Sequence, residues 1–306
     1  MMKDFLAVAE YSPEQLQSLL DTAVDLKKEW KKKGNTPVLR NKVLAMIFQK
    51  PSLRTRVSFD MAMRQLGGDA LYLSPAEIGL GKRESIADVA RVLSGYVDAI
   101  MARVFDHQHV IELAKWAEIP VINGLSDYNH PCQATADALT IQENFGRLKG
   151  IKVAFIGDGN NVALSLMHFC AKLGADFTIA NPEGYSLDPD GVRLGESFAR
   201  DSGSSIRQLR DPFEAVQGAR VIYTDTWVSM GQDEEAAARA DVFPPYQVNQ
   251  KLLQAAEKDA IVMHCLPAHR GEEITDEVAD GPNSRLFPQA HNRLHAQKAI
   301  LVKLLS

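Results

Sequence analysis

The feature that most constrains this chain is a repeated alternation. Short runs that are apolar almost throughout are separated by segments with helical spacing. The runs are "VLAMIF" (43–48), "ALYL" (70–73), "AIMARV" (99–104) and "PVIN" (120–123). A second series follows: "KVAFIG" (152–157), "DFTIAN" (176–181), "RVIYTD" (220–225) and "AIVMHC" (260–265). Helical patterns at 84–97, 107–118, 161–173 and 246–258 lie between them. A strand apolar along its length needs cover on both faces, which the crossover helices of a parallel sheet supply. Two series of four strands therefore predict an α/β fold with two doubly wound parallel-sheet domains. At 306 residues the chain is long enough for both.

Two long helical patterns organise these domains. "PCQATADALTIQENFG" (131–146) sits at the seam between the two series, and "NRLHAQKAILVKLL" (292–305) ends the chain. The expected division is 1–132 and 133–291, with a C-terminal helix at 292–306 returning to the first domain. An N-terminal helix opens at Ser12-Pro13-Glu14-Gln15, a capping box with Pro at the first helical position, and runs to the lysines at 31–33.

Ligands of open α/β sheets bind beyond the carboxyl ends of strands, so the segments after each run carry the chemistry. After 43–48 comes "QKPSLRTR", in which Lys50, Arg54 and Arg56 are interleaved with Ser52 and Thr55. A helix N-terminus with free N–H groups, an arginine fork and hydroxyls suits a phosphate; a capped helix with solvated arginines would look similar. The chain as a whole has a net charge of −5 and a pI near 5.9, so this concentration of cations is local. That balance disfavours nucleic acid and anionic membrane as partners. No run reaches the length of a membrane span, and the N-terminal apolar patch is too short for a signal-peptide core. Cys132, Cys170 and Cys265 are widely spaced and form no disulfide framework or zinc ribbon. A cytoplasmic location is the expectation.

Other motifs are less specific. "FIGDGNN" has glycines at 157 and 159, but Val162 stands where a dinucleotide fingerprint has its third glycine, and "DFTIANP" closes without an acidic residue. Asn160 and Asn161 suit helix caps. His107 and His109 in "DHQH" lack a third ligand, and His264, Cys265 and His269 lack a completing one, so no metal is expected. Strand alternation would point His264 and Cys265 to opposite faces.

Taken in order, "SLRTR", "MARVF", "HPCQ", "DGNN", "DTWVSMG", "HCLP" and "NRLHA" resemble the ornithine carbamoyltransferase family over nearly the whole chain. The resemblance implies that Ser52, Leu53 (through its N–H), Arg54 and Thr55 bind the phosphate of carbamoyl phosphate. Arg103, His130, Gln133, Arg293 and the Leu266 carbonyl would hold the carbamoyl group. Asn161, Asp225, Ser229 and Met230 would grip the α-amino and α-carboxylate groups of L-ornithine, with Cys265 near the side-chain amine. Arg103, His130 and Cys265 are the residues expected nearest the chemistry. The implied reaction gives L-citrulline and phosphate without a cofactor, in a homotrimer or a multiple of trimers. Two positions depart from the family pattern: Leu53 replaces a threonine, and Gly79 in "AEIGLGKRES" replaces a glutamine in a loop that reaches a neighbouring subunit. A nicotinamide-dependent oxidoreductase and a two-lobed binding protein are the rivals from other classes. Aspartate, putrescine and N-acetylornithine are the rival acceptors.

Overall fold

The computed structural model describes residues 2–228 and 233–306. Its elements begin with α1 (Pro13–Lys33), β1 (Val43–Phe48), α2 (Leu53–Gln65), β2 (Asp69–Leu73), α3 (Pro75–Ile78), α4 (Ile86–Ser94) and β3 (Ala99–Arg103). Next come α5 (His107–Trp116), β4 (Val121–Leu125), α6 (Pro131–Phe145), β5 (Lys152–Ile156), α7 (Asn161–Lys172), β6 (Asp176–Ala180) and α8 (Pro189–Ser202). The remainder is β7 (Ile206–Leu209), α9 (Pro212–Val216), β8 (Val221–Thr224), α10 (Ala236–Val242), α11 (Gln250–Gln254), β9 (Ile261–His264), α12 (Asp276–Ala279) and α13 (Leu286–Leu305). Residues through Leu139 together with His291–Ser306 form one compact unit, and Thr140–Ala290 form a second. The chain passes between them inside α6 and again inside α13.

Unit 1 holds a four-stranded parallel sheet in the order β2-β1-β3-β4. Strands β1, β3 and β4 are apolar because they are buried, with Ile47, Ile100, Ala102 and Val121 packed with Val89 of α4 and Val110 and Leu113 of α5. Strand β2, at an edge, has no buried residue and leaves Leu71 half exposed. The β4 edge is closed by the N-terminal segment, where the Phe5 N–H donates to the Val121 carbonyl (2.8 Å) and the Asn123 N–H donates to the Phe5 carbonyl (2.8 Å). The capping box on α1 forms: Ser12 Oγ accepts from the Gln15 N–H, and Gln15 Oε1 accepts from the Ser12 N–H at 2.9 Å.

Unit 2 holds a five-stranded parallel sheet, β7-β6-β5-β8-β9, one strand more than expected. The additional strand, β7, lies at an edge with Arg207 and Gln208 exposed, so it lacks the apolar run that marks the others. The helix expected at 246–258 shrinks to α11, because Val248 is extended and donates its N–H to the Glu273 carbonyl (2.8 Å). No helix among the described residues is long and apolar enough to cross a membrane.

Each sheet has one topological switch point. In unit 1 it lies between β1 and β3, whose last residues Phe48 and Arg103 are paired. In unit 2 it lies between β5 and β8, where Ile156 pairs with Thr224. These are the places where such a fold leaves a crevice for ligand.

Candidate functional site

In unit 1 the segment after β1 enters α2 through Ser52, the N-cap. Its Oγ accepts from the Thr55 N–H at 3.3 Å and donates to Thr55 Oγ1 at 3.1 Å. Thr55 is fully buried, and Arg293 from α13 donates to its Oγ1 at 2.7 Å. Arg54 has its Nε buried without a hydrogen-bond partner. Arg103 ends β3 and is 5% exposed, while His130, just before α6, is 4% exposed. The His130 imidazole is held well below its ordinary pKa, first by burial and then by Arg293, Arg103 and Arg54. It is therefore neutral at physiological pH, with three guanidinium groups disfavouring its charged form. One turn into α6, the buried Gln133 donates through Nε2 to Asp137 (2.8 Å) and keeps an unpartnered Oε1. Leu53 is 75% exposed, so its side chain faces away from this cluster.

Ser52, Arg54, Thr55, Arg103, His130, Gln133 and Arg293 thus gather within unit 1. Sequence reasoning passed over Lys50 as a ligand. Its ammonium lies 4.3 Å from the centre of the Phe105 ring, and burial followed by Arg103 lowers its pKa.

In unit 2 the segment after β5 is shaped by packing. A Cβ at Gly159 would lie 2.4 Å from the Leu187 nitrogen and the Ser186 carbonyl carbon, so the second glycine of "GDG" serves backbone approach. Asn160 is the N-cap of α7: its Oδ1 accepts from the Val162 and Ala163 N–H groups, both at 3.0 Å. Its Nδ2 donates to Asp225 Oδ2 at 2.8 Å, which ties the end of β5 to the end of β8. Asn161, the first residue of α7, is half-buried beside it.

Asp225 is 5% exposed, and its Oδ1 accepts from the Thr226 N–H and from the Cys265 thiol, both at 2.9 Å. His264 is buried with both ring nitrogens engaged. Nδ1 accepts from the Leu266 N–H (2.9 Å), so Nε2 carries the proton and donates to Glu273 Oε1 (3.0 Å). Leu266 is held at φ 61°, a left-handed conformation rare for such a side chain, and precedes a cis peptide bond to Pro267. Ser229 and Met230 lie outside the described residues.

One expectation needs correcting. His264, Cys265 and Asp225 each bring a potential ligand atom within 4.8 Å of the others, although alternation was expected to separate the first two. The strand ends at His264, so its period does not extend to Cys265. These donors are engaged with one another or with Leu266 and Glu273.

Sequence reasoning also missed Asp158 and Arg239. Arg239 of α10 is 4% exposed and donates to Asp158 Oδ2 (2.9 Å) and to the Trp227 carbonyl (2.7 Å). It thereby binds the segment after β5 to the segment after β8. Nothing in "EEAAARA" distinguishes this arginine from one on a solvated helix face.

A cation cluster at one switch point and an amide–carboxylate–thiol group at the other define an α/β protein built to hold small polar ligands, one of them anionic. Two family models match the chain. Residues 3–143 match the carbamoyl-phosphate-binding domain of aspartate/ornithine carbamoyltransferases, and residues 149–304 match the Asp/Orn-binding domain. The chain belongs to the aspartate/ornithine carbamoyltransferase family. It is 56% identical to an ornithine carbamoyltransferase of Pyrococcus abyssi, over 99% of this chain and 96% of that one. Among solved structures, ornithine carbamoyltransferase from Pyrococcus furiosus matches with a TM-score of 0.97 at 55% identity, covering 99% and 97% of the two chains. The anabolic enzyme from Campylobacter jejuni matches with a TM-score of 0.93 at 40% identity, covering 99% of each chain.

Proposed function

We propose that this protein transfers the carbamoyl group of carbamoyl phosphate to the δ-amine of L-ornithine, giving L-citrulline and phosphate. The observation that carries this reading is the set of three guanidinium groups that act on a neutral His130, those of Arg103 and Arg293 buried, with Thr55 bonded to Arg293. Such a set suits a small dianion joined to a carbonyl. Unit 1 is then the carbamoyl-phosphate half and unit 2 the ornithine half.

Ser52, Arg54, Thr55 and the Leu53 N–H take the phosphate. Arg103, His130 and Thr55 polarise the carbonyl as the nucleophile adds. The unpartnered Oε1 of Gln133 and the Leu266 carbonyl accept from the carbamoyl nitrogen, and Arg293 completes the half-site. Asp225 pairs with the free α-amino group, and Asn161 at the start of α7 with the α-carboxylate. Ser229 and Met230 are assigned to ornithine binding as well, and Cys265 to the side-chain amine. Carbamoyl phosphate has a good leaving group, so positioning and oxyanion stabilisation carry most of the catalysis. The attacking amine is the substrate's own, and departing phosphate can take its proton. The "anabolic" names of two relatives favour the synthetic direction, in arginine biosynthesis. A cytoplasmic homotrimer fits this reading.

The test is an acceptor panel with carbamoyl phosphate, measuring each carbamoylated product. An acetylated amine would leave Asp225 without a cationic partner, and putrescine, which is ornithine without its carboxylate, would leave Asn161 without its anionic one. L-Ornithine is expected to exceed N-acetylornithine, putrescine and L-aspartate by at least about a hundredfold in kcat/KM, roughly 3 kcal/mol. Asp225→Asn should impair ornithine use far more than carbamoyl-phosphate binding. Preference for another acceptor would overturn the assignment.

A further inference from the structure

Gln49, the residue between β1 and the phosphate segment, touches three parts of unit 1 at once. Its backbone N–H donates to the Arg103 carbonyl at 2.8 Å. Its side-chain Oε1 accepts from the Phe105 N–H at 2.9 Å, so the chain on either side of Val104 is held by one residue. Its Nε2 donates to the Leu80 carbonyl at 3.2 Å, in the loop that follows α3. These partners fix the orientation of the amide. His109 Nδ1 lies beside the same amide, 3.2 Å from Nε2 and 3.3 Å from Oε1. The other edge of His109 faces the same loop: a Cβ on Gly81 would lie 3.8 Å from its Nε2. Lys50 and Ser52 follow directly in sequence.

We infer that Gln49 is a positioning residue for the carbamoyl-phosphate half of the site, holding the Arg103 segment and the 79–84 loop in register with the phosphate cradle. This rests on the functional reading above. The residue contacts no reacting atom; it acts through Arg103 and through the loop. Its two polar ends divide that work, Oε1 toward Phe105 and Nε2 toward Leu80. Two substitutions separate them. Gln49→Leu keeps approximate size and removes both bonds. Gln49→Glu keeps an acceptor for Phe105 and removes the donor for Leu80.

Two measurements read the two ends. Steady-state kinetics report on Arg103, and limited trypsin digestion reports on the loop through Lys82 and Arg83, both exposed on the single protomer. Q49L should raise KM for carbamoyl phosphate about tenfold, the scale of one or two net hydrogen bonds. KM for ornithine at saturating carbamoyl phosphate should stay within about twofold, and the unfolding midpoint should hold. Cleavage after Lys82 or Arg83 should quicken in both variants, while Q49E should recover most of the KM defect. An unchanged KM and nicking rate in Q49L overturns the inference. So does a loss for both substrates accompanied by a lower unfolding midpoint, or a KM defect in Q49E equal to that of Q49L. Wild-type protein that forms no citrulline would instead sink the functional reading, and the nicking comparison would still test the loop.

Discussion

Arg54 illustrates a residue shaped for a ligand at the expense of the free protein. Its Nε is buried without an acceptor, an arrangement that costs stability until something supplies one. A phosphate supplies it, together with a charge-assisted contact of the stronger kind. Arg54→Ala should therefore reduce kcat/KM for carbamoyl phosphate by about 2–5 kcal/mol. The same change should leave the unfolding midpoint unchanged or slightly higher, because the donor it removes is unsatisfied in the free protein. Paired thermal melts and kinetics check this; a stable variant with normal turnover would place the cradle elsewhere. At this scale the placement of much of the candidate site was legible in the sequence. Ser52, Arg54, Arg103 and Asp225 stand at or just beyond strand ends, where an open sheet must carry its ligands. Asn160 was legible only as a cap; its second bond, to Asp225, joins residues 65 apart in sequence, which no local pattern reveals.

Elements reach the site through a few long-range ties, and Arg239 is one of them. It couples α10 to both strand ends of the unit 2 switch point, with its guanidinium carbon 4.7 Å from the centre of the Tyr185 ring. Burial pushes the Asp158 carboxyl above its usual range, and Arg239 draws it part of the way back. Removing the arginine strands a carboxylate with about 7% exposure, which typically costs about 3–5 kcal/mol. Arg239→Leu should lower stability on that scale and raise KM for ornithine, with carbamoyl-phosphate binding preserved. Asp158→Asn on the Arg239→Leu background should restore part of the stability, since the stranded charge is gone. If the double substitution is no more stable than the single one, the ion pair is not what holds these segments. Strands β1, β3 to β6, β8 and β9 announced themselves because burial demands apolar runs, and β2 did so through "ALYL" although it lies at an edge with Leu71 half exposed. β7 did not, since an edge strand tolerates Arg207 and Gln208 toward solvent. α10 was equally silent: its sequence is helical, but its one buried charge finds a partner 81 residues away.

Across the whole molecule, buried histidines set how the protein meets acid. His107, His130, His168 and His295 are all held below the ordinary imidazole pKa, chiefly by burial. His295 of α13 is the clearest, lowered to about 3 by burial and by Lys298, Lys27, Lys31 and His291 around it. Lys298, fully buried and hydrogen-bonded to Asn35, is itself lowered to about 8 by burial. Above about pH 6.5 His295 is neutral whether the chain is folded or not, and contributes nothing to the pH dependence. Between about 6.5 and about 3 the unfolded chain takes up a proton that the folded chain refuses, so stability falls as pH falls. Each such proton contributes about 1.4 kcal/mol per pH unit, or on the order of 2–4 kcal/mol over the window once the solvent-facing cations of this cluster are discounted. Asp4, Glu10 and Asp158 act in the opposite sense. Burial raises their pKa values, so the folded chain binds their protons first and acid relieves part of their cost. Replacing His295 with Gln keeps a polar side chain and removes the titration. Denaturant unfolding of the wild type and H295Q at half-unit steps from pH 7.5 to 4.5 should give curves that diverge on the acid side. The wild type should lose stability more steeply, by about one proton's worth of slope near pH 5. Parallel curves across that range would mean that His295 takes up its proton in the folded protein after all, and that the five basic groups do not repel as their packing implies.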